Sequence, residues 1–380
     1  MKEGWSYKKL GEVCDFEGGS QPPKSEWINH PQDGYVRMLQ IRDFTRSRNA
    51  EIEYVKISKK IRLCKADDIL IGRYGASVGK ILTGLAGAYN VAIIKSIPNE
   101  ELISKAFIKR YFEARSFQSV LLKVCASRAA QAGFSKDDIC DTPIPVPPLS
   151  EQHFIVSRLD SAFSHIDALK ANAEKQLNEA RKLFHVELTE CMKPQEGWEE
   201  RKLGEVCEVI SGQSPEGKYY NTDGQGTPFY QGKKEFSFKY IGEPTMWTTA
   251  ETKIATKGDL LMSVRAPVGD VNFATQRLCI GRGLAAIRTK EEIDKEYLFY
   301  YLVGKKSCIK GKEGVGFASI NRKEIMDIGI QYPEDLSAQH SIVSHLDSLS
   351  STIRKLEELQ QKTLAECDAL KQAMLREVFE

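Results

Sequence analysis

The 380-residue sequence has no C-x-x-C pair, no run of apolar residues approaching 18, and no strong excess of either charge, with a formal net charge of +2. The missing apolar run excludes a membrane-spanning helix, and the opening MKEGWSYKK has no apolar stretch behind its charges to serve as a signal peptide. The nine cysteines stand singly at 14, 64, 125, 140, 191, 207, 279, 308 and 367. That odd, scattered set suggests neither a disulfide framework nor a zinc knuckle, so a reducing cytoplasm and no metal site are expected. Catalytic signatures are missing too. There is no glycine-rich S-adenosylmethionine-type loop after a strand, no Asp/Asn-Pro-Pro-aromatic motif, no H-x-x-x-H and no G-x-S-x-G. GASVGK (75–80) has three residues between its glycines and Ile81 after the lysine, where a phosphate loop needs four residues and a Ser or Thr; a glycine-rich turn beside a strand is expected instead. His153 and His340 occupy matching places, but no repeated nucleophile or carboxylate accompanies them, so no catalytic residue is expected.

What the sequence does have is itself, twice. EGWSYKKLGEVC (3–14) returns as EGWEERKLGEVC (196–207) with nine identities in twelve, and LSEQHFIVSRLDS (149–161) returns as LSAQHSIVSHLDS (336–348) with ten in thirteen. Weaker echoes join ADDILIGRYGASVG to KGDLLMSVRAPVG and SKDDICDTPIPVP to NRKEIMDIGIQYP. Such self-similarity marks a tandem duplication whose ends stayed alike while its middles diverged.

Within each copy, short β-rich runs (35–41, 69–71, 91–94; then 259–264, 284–287) are broken by Gly, Asn and Pro, and segments 101–124 and 291–303 read as helices. Pro143, Pro145, Pro147 and Pro148 close the first globule. After Ser150 the period changes. Ile155, Leu159, Ala162, Ile166, Leu169, Ala173, Gln176, Ala180, Leu183 and Glu187 follow a 4,3 spacing, and adding 187 gives Ile342, Leu346, Leu349, Ile353, Leu356, Gln360, Thr363, Cys367, Leu370 and Met374. A helix of roughly 40 residues is about 60 Å long, too long for the core of one globule, and the matched registers favour two helices packed on each other as an antiparallel pair over the alternative, an amphipathic helix folded against its own domain. The expected architecture is α+β: a mixed α/β domain (1–149), a long helix (150–191), a second mixed domain (192–336) and a second long helix (337–380), related by a pseudo-two-fold axis. The first domain carries 23 Lys+Arg against 17 Asp+Glu, and the second carries 21 against 21.

The openings KLGEVC after a Trp, TPFYQGKKEF (227–236), KGDLLMSVRAPVGDV (257–271), CIGRGLAAI (279–287) and the PIPVPPLSEQ and LSAQHSIVSHLDS segments resemble type I restriction-modification specificity subunits along essentially the whole chain. The first copy departs from the common wording at Gly72–Ser77. The resemblance implies two target recognition domains on an antiparallel coiled coil, each reading half of a bipartite, asymmetric site on double-stranded DNA. It also implies two modification subunits carrying adenine methyltransferase activity, restriction subunits driven by ATP, and S-adenosylmethionine, ATP and Mg on those partners rather than here. A DNA-reading domain needs Arg or Lys for guanine, Asn or Gln for adenine, and Lys, Arg and Tyr for phosphates. The candidates are Arg37, Gln40, Arg42, Arg46, Arg48, Arg73, Tyr74, Lys80, Arg128 and Gln131 in the first domain. In the second they are Lys218, Tyr219, Tyr220, Gln231, Lys233, Lys234, Arg265 and Arg282. A fragment of a fused restriction-methyltransferase enzyme and a coiled-coil scaffold unrelated to DNA are the alternatives.

Overall fold

The computed structural model describes residues 4–45, 51–128, 133–309 and 318–380. It forms two compact units, Met1–Ala173 with Gln361–Glu380, and Glu174–Gln360. Among the described residues no helix is long and apolar enough to cross a membrane.

The two globules share one plan. In the first unit, strands Cys14–Gly18, Ile93–Pro98, Ile69–Gly72 and Ile81–Leu82 form an antiparallel sheet in that spatial order. In the second, Cys207–Ser211, Leu284–Thr289, Leu260–Ser263 and Val271–Phe273 repeat it. The middle strands Ile69–Gly72 and Leu260–Ser263 are buried along their whole length, which is why their sequences are apolar without alternation. A second sheet in each globule contains one parallel pair, Tyr35–Leu39 with Gly87–Tyr89 and Thr227–Tyr230 with Leu278–Ile280. The repeated ends pair with each other. Ser6–Lys9 runs antiparallel to Pro143–Val146, and Trp198–Lys202 to Gly329–Pro333, so the chain enters and leaves each globule through one ribbon. Pro143 and Pro145 fit this two-stranded ribbon because only one edge of each strand is hydrogen-bonded.

The long helices span Leu149–Cys191 and Leu336–Phe379. Within the first unit, Lys371 pairs with Asp167 at 2.6 Å and Lys170 with Asp368 at 2.6 Å. Within the second, Arg181 reaches Glu357 at 2.6 Å. In the first unit the number on one helix falls as that on the other rises, so there the two segments run antiparallel.

One residue near each helix start accounts for the LSEQ/LSAQ echo. Gln152 and Gln339 are both fully buried. The Gln152 carbonyl accepts the Ser104 N–H at 2.8 Å, and its amide donates to the Leu102 and Pro147 carbonyls at 2.9 and 2.8 Å. Gln339 does the same with the Asp294 N–H and the Glu292 and Pro333 carbonyls. Each glutamine thus satisfies three backbone groups that irregular chain would leave unpaired.

The stripe on the helices differs from the sequence expectation in two ways. First, it faces the globule cores as well as the opposite helix. Val156, Leu159, Phe163, Ile166, Cys367, Leu375 and Phe379 belong to the first unit's core, and Leu188, Val343 and Leu346 to the second's. Phe379 packs on Phe107 and Tyr111 at ring-centroid distances of 5.1 and 5.6 Å. Second, one column is displaced by a residue. Leu159, Ile166 and Leu346 are buried and Ile353 is half-buried, as a seam requires. Leu169, Leu183 and Leu370 are not in it, being 58, 58 and 52% exposed. The inward positions are instead Val156, Phe163, Lys170, Leu177 and Phe184, with Val343, Ser350, Glu357, Leu364 and Lys371 at the same 187-residue offset. Ile155 and Ile342 are half-buried at the flank against their own cores, and Leu349 and Leu356 are half-buried as well. The larger side chain takes the interior where neighbours compete, Phe163 over Ala162 and Phe184 over Leu183. Lys170 and Lys371 hold interior places by laying their stems along the stripe and carrying their charges to Asp368 and Asp167.

Candidate nucleic-acid interface

In the second unit three quoted segments converge. The buried strand Leu260–Ser263 ends in a loop that Ser263 fastens at both sides. Its hydroxyl donates to the Pro267 carbonyl at 2.9 Å and accepts the Asp270 N–H at 3.0 Å. The next segment lies against this loop, with the Val264 N–H on the Gly283 carbonyl at 3.0 Å and the Gly283 N–H on the Gln231 carbonyl at 3.1 Å. A Cβ on Gly283 would stand 2.4 Å from that carbonyl oxygen, so only glycine lets the CIGRG and YQGK backbones meet. Together they enclose a cavity of about 200 Å³ lined by Gln231, Gly232, Lys233, Ser263, Arg265, Ala266, Arg282 and Gly283.

Four candidates from the sequence therefore share one pocket. Gln231, Arg265 and Arg282 are exposed and, like exposed Lys234, have no side-chain ion pair or hydrogen bond among the described residues. Lys233 is tied to Asp270, which also receives Lys306. Burial pushes the Asp270 carboxyl up, but the hydrogen bonds and charges of Lys233 and Lys306 outweigh it and hold the group below the usual carboxylate range. Lys218 pairs with Glu216 at 2.7 Å and lies over the Tyr219 ring. Tyr220 has a packing role: its ring stacks on Phe229 at 4.9 Å and its hydroxyl donates to the Pro215 carbonyl.

The first unit builds the same frame with partly different side chains. The Asn90 N–H bonds the Leu39 carbonyl as the Gly281 N–H bonds that of Tyr230, placing Gln40 at the position of Gln231. The Arg73 N–H bonds the Ala92 carbonyl as the Val264 N–H bonds that of Gly283, which sets Val91 opposite Arg282. Tyr74 bridges to Gly133 as Arg265 bridges to Ser319. The matched places thus hold Gln40, Tyr74 and Val91 in one unit and Gln231, Arg265 and Arg282 in the other.

Several first-unit candidates are spent on the fold. Arg37 pairs with Asp43 at 2.7 Å, and Arg42 and the Gln40 amide both donate to Glu53. Burial raises the Glu53 carboxyl, yet Lys24, Arg42 and Gln40 more than compensate and leave it lowered. Arg128 forks onto Asp138 at 2.7 and 2.8 Å and donates to the Gly133 carbonyl. Arg73 donates to the Phe134 carbonyl at 3.2 Å, while Tyr74 and Lys80 are exposed. Arg46, Arg48 and Gln131 lie outside the described residues. Sequence reasoning missed Val91 and Lys306, which carry no signal until the backbone pairing and the Asp270 contact are known.

A second feature lies on the first unit's helices. Trp5, Phe154, Ile155, Arg158, Leu159, Met374 and Val378 line an apolar groove of about 220 Å³, rimmed by Glu151 and Glu377. The Trp5 indole N–H donates to Glu151 at 2.9 Å, while Phe154 is 61% exposed.

A type I restriction modification DNA specificity domain model matches residues 2–179 and again 195–365. A chain named as the type I restriction enzyme MjaX specificity subunit of Methanocaldococcus jannaschii is 34% identical, the match covering 93% of this chain and 88% of that one. The EcoBI specificity subunit of Escherichia coli is 22% identical over 100% of this chain and 86% of its own length. Among solved structures, a chain from work on complex assembly and conformational transition of the type I R-M system is 27% identical. It aligns with a TM-score of 0.82 over 99% of this chain and 97% of its own. The HsdS subunit from Thermoanaerobacter tengcongensis is 26% identical with a TM-score of 0.57, over 100% of this chain and 97% of its own.

Proposed function

The chain belongs to the type I restriction-modification DNA specificity family, and from that premise we propose that each unit reads one half of a bipartite, asymmetric site on double-stranded DNA. The observation that carries this reading is the pocket of Gln231, Arg265 and Arg282, whose side chains have no internal partner among the described residues. Arg is the side chain that reads guanine in the major groove with two hydrogen bonds, and Gln does the same for adenine. The matched positions in the first unit keep the glutamine, Gln40, with its amide held by Glu53, but put Tyr74 and Val91 where the second unit has Arg265 and Arg282, and that difference on the same frame gives the two units different bases to read. Lys80, Lys218, Lys233 and Lys234 serve the phosphates and set register rather than sequence.

The rest of the assignment rests on the chain's membership of that family. The long helices carry the chain from one unit to the other and set the spacing of the half-sites, leaving the base pairs between them unread. The groove around Trp5 and Phe154 offers an apolar patch with an arginine beside it, and there a modification subunit docks. Methylation takes place on that subunit, with S-adenosylmethionine bound there, after the target adenine leaves the stack. Restriction subunits bring ATP and Mg. This chain selects which adenine is reached.

Genome-wide adenine methylation mapping in cells carrying this chain and its modification subunit tests the reading. One bipartite motif is expected, and replacing residues 1–149 with the corresponding domain of another family member changes one half of it. A change in both halves, or in neither, refutes the assignment of one half-site to each unit.

A further inference from the structure

We propose that Glu187, Cys191 and His345, all in the second unit, form a binding site for one borderline-soft divalent cation such as Zn²⁺. Glu187 and Cys191 lie one turn apart on the first long helix, so their side chains leave the same face. His345 comes from the second long helix, with its Nε2 3.5 Å from a Glu187 carboxylate oxygen. One ligand atom from each residue lies within 4.8 Å of the other two. Bonds of about 2.0–2.3 Å in a tetrahedron set neighbouring ligands roughly 3.5 Å apart, so the three groups close on an ion by moving on the order of 1 Å.

The donor set selects the metal. One thiolate, one imidazole and one carboxylate suit Zn²⁺ or Co²⁺ and are wrong for Mg²⁺ or Ca²⁺, which take oxygen alone. Binding replaces the thiol proton by the metal and releases that proton to solvent, so the charge balance is one cation gained and one proton lost. Three protein ligands leave the fourth position to water, which makes the ion exchangeable. The duplication supplies no second copy, because the 187-residue offset puts Met374, Val378 and Arg158 at the corresponding places in the first unit. A bound ion would join the 174–191 and 336–360 segments of this unit. Ligands on two distant stretches also explain why cysteine spacing alone points to no metal.

The test is a titration of the 380-residue, tag-free, metal-stripped chain with Co²⁺. We expect a thiolate-to-cobalt charge-transfer band that saturates at one equivalent and disappears when Zn²⁺ is added. Cys191→Ser removes the band, and His345→Gln weakens binding about tenfold or more. Cys308→Ser, which removes the exposed thiol, leaves it unchanged. Hydrogen exchange across residues 184–191 slows on Zn²⁺ addition in the parent chain and not in His345→Gln. Absence of the band, its loss in Cys308→Ser, or its survival in Cys191→Ser overturns the proposal.

Discussion

Replacing either buried glutamine tests the account of the repeated helix starts. Gln339→Leu keeps much of the volume but leaves the Asp294 N–H and the Glu292 and Pro333 carbonyls without their partner. At about 1–3 kcal/mol for each orphaned buried group, less what water recovers, the loss is about 3–6 kcal/mol, a large part of the stability of an ordinary domain. Gln339→Glu separates hydrogen bonding from shape. A carboxylate still accepts the Asp294 N–H but turns negative charge on two carbonyls. Protonated, it donates to one of them. Burial and those carbonyls raise its folded pKa above the unfolded value of about 4.3, so the folded state holds the proton more tightly. Stability is then greatest below about pH 4.3 and falls by about 1.4 kcal/mol per pH unit until the folded pKa is passed. Native-state hydrogen exchange of the Asp294 amide reads this locally, and Gln152→Glu should act in the same way on the Ser104 amide of the other unit. A Gln339→Glu chain with parental protection and no pH dependence would refute the reasoning, as would a Gln339→Leu loss below about 1 kcal/mol.

Perturbations at four other sites have defined outcomes. Arg282→Ala should cost about 1–3 kcal/mol of discrimination and relax one position in the second unit's half-site, read by methylation mapping across a site library. Asp270→Asn frees Lys233 and Lys306, so DNA affinity should rise at low salt and the log–log salt slope should steepen by about 1–2. Because the Asp270 pKa is depressed, its stabilising contribution is complete at neutral pH and is lost as pH falls through the acid range; the parent should therefore lose more stability on acidification than Asp270→Asn. Arg37→Ala should lower stability by about 1–3 kcal/mol in denaturant unfolding by orphaning Asp43, without altering the methylated motif. On the helices, Phe163→Ala should cost about 3–5 kcal/mol, whereas Leu169→Lys and Leu183→Lys should stay within about 0.5 kcal/mol.

The duplication, the alternation of mixed globules with long helices and the family were all legible in the sequence, because repeated words and a sustained 3.5-residue period survive without coordinates. The inward face was legible only in part. Ile155 stands beside Val156, and Ala162 beside Phe163, so the 4,3 spacing can be threaded through either neighbour, and packing chose the second. The clustering of Gln231, Arg265 and Arg282 came from segments quoted separately, which backbone hydrogen bonds then joined. Arg37, Arg42 and Arg128 show the limit in the other direction. An arginine in a polar loop looks the same in sequence whether it faces solvent or a buried carboxylate such as Asp43, and only the fold supplies that partner.

Leu375 and Phe379 sit in the core of a unit whose other residues are mostly 1–173. They emerge from the ribosome roughly 200 residues after the first globule, a delay of about 10–40 s at ordinary elongation rates. Through that interval Phe107 and Tyr111 lack the ring that covers them. The segment translated first is therefore among the last to be finished.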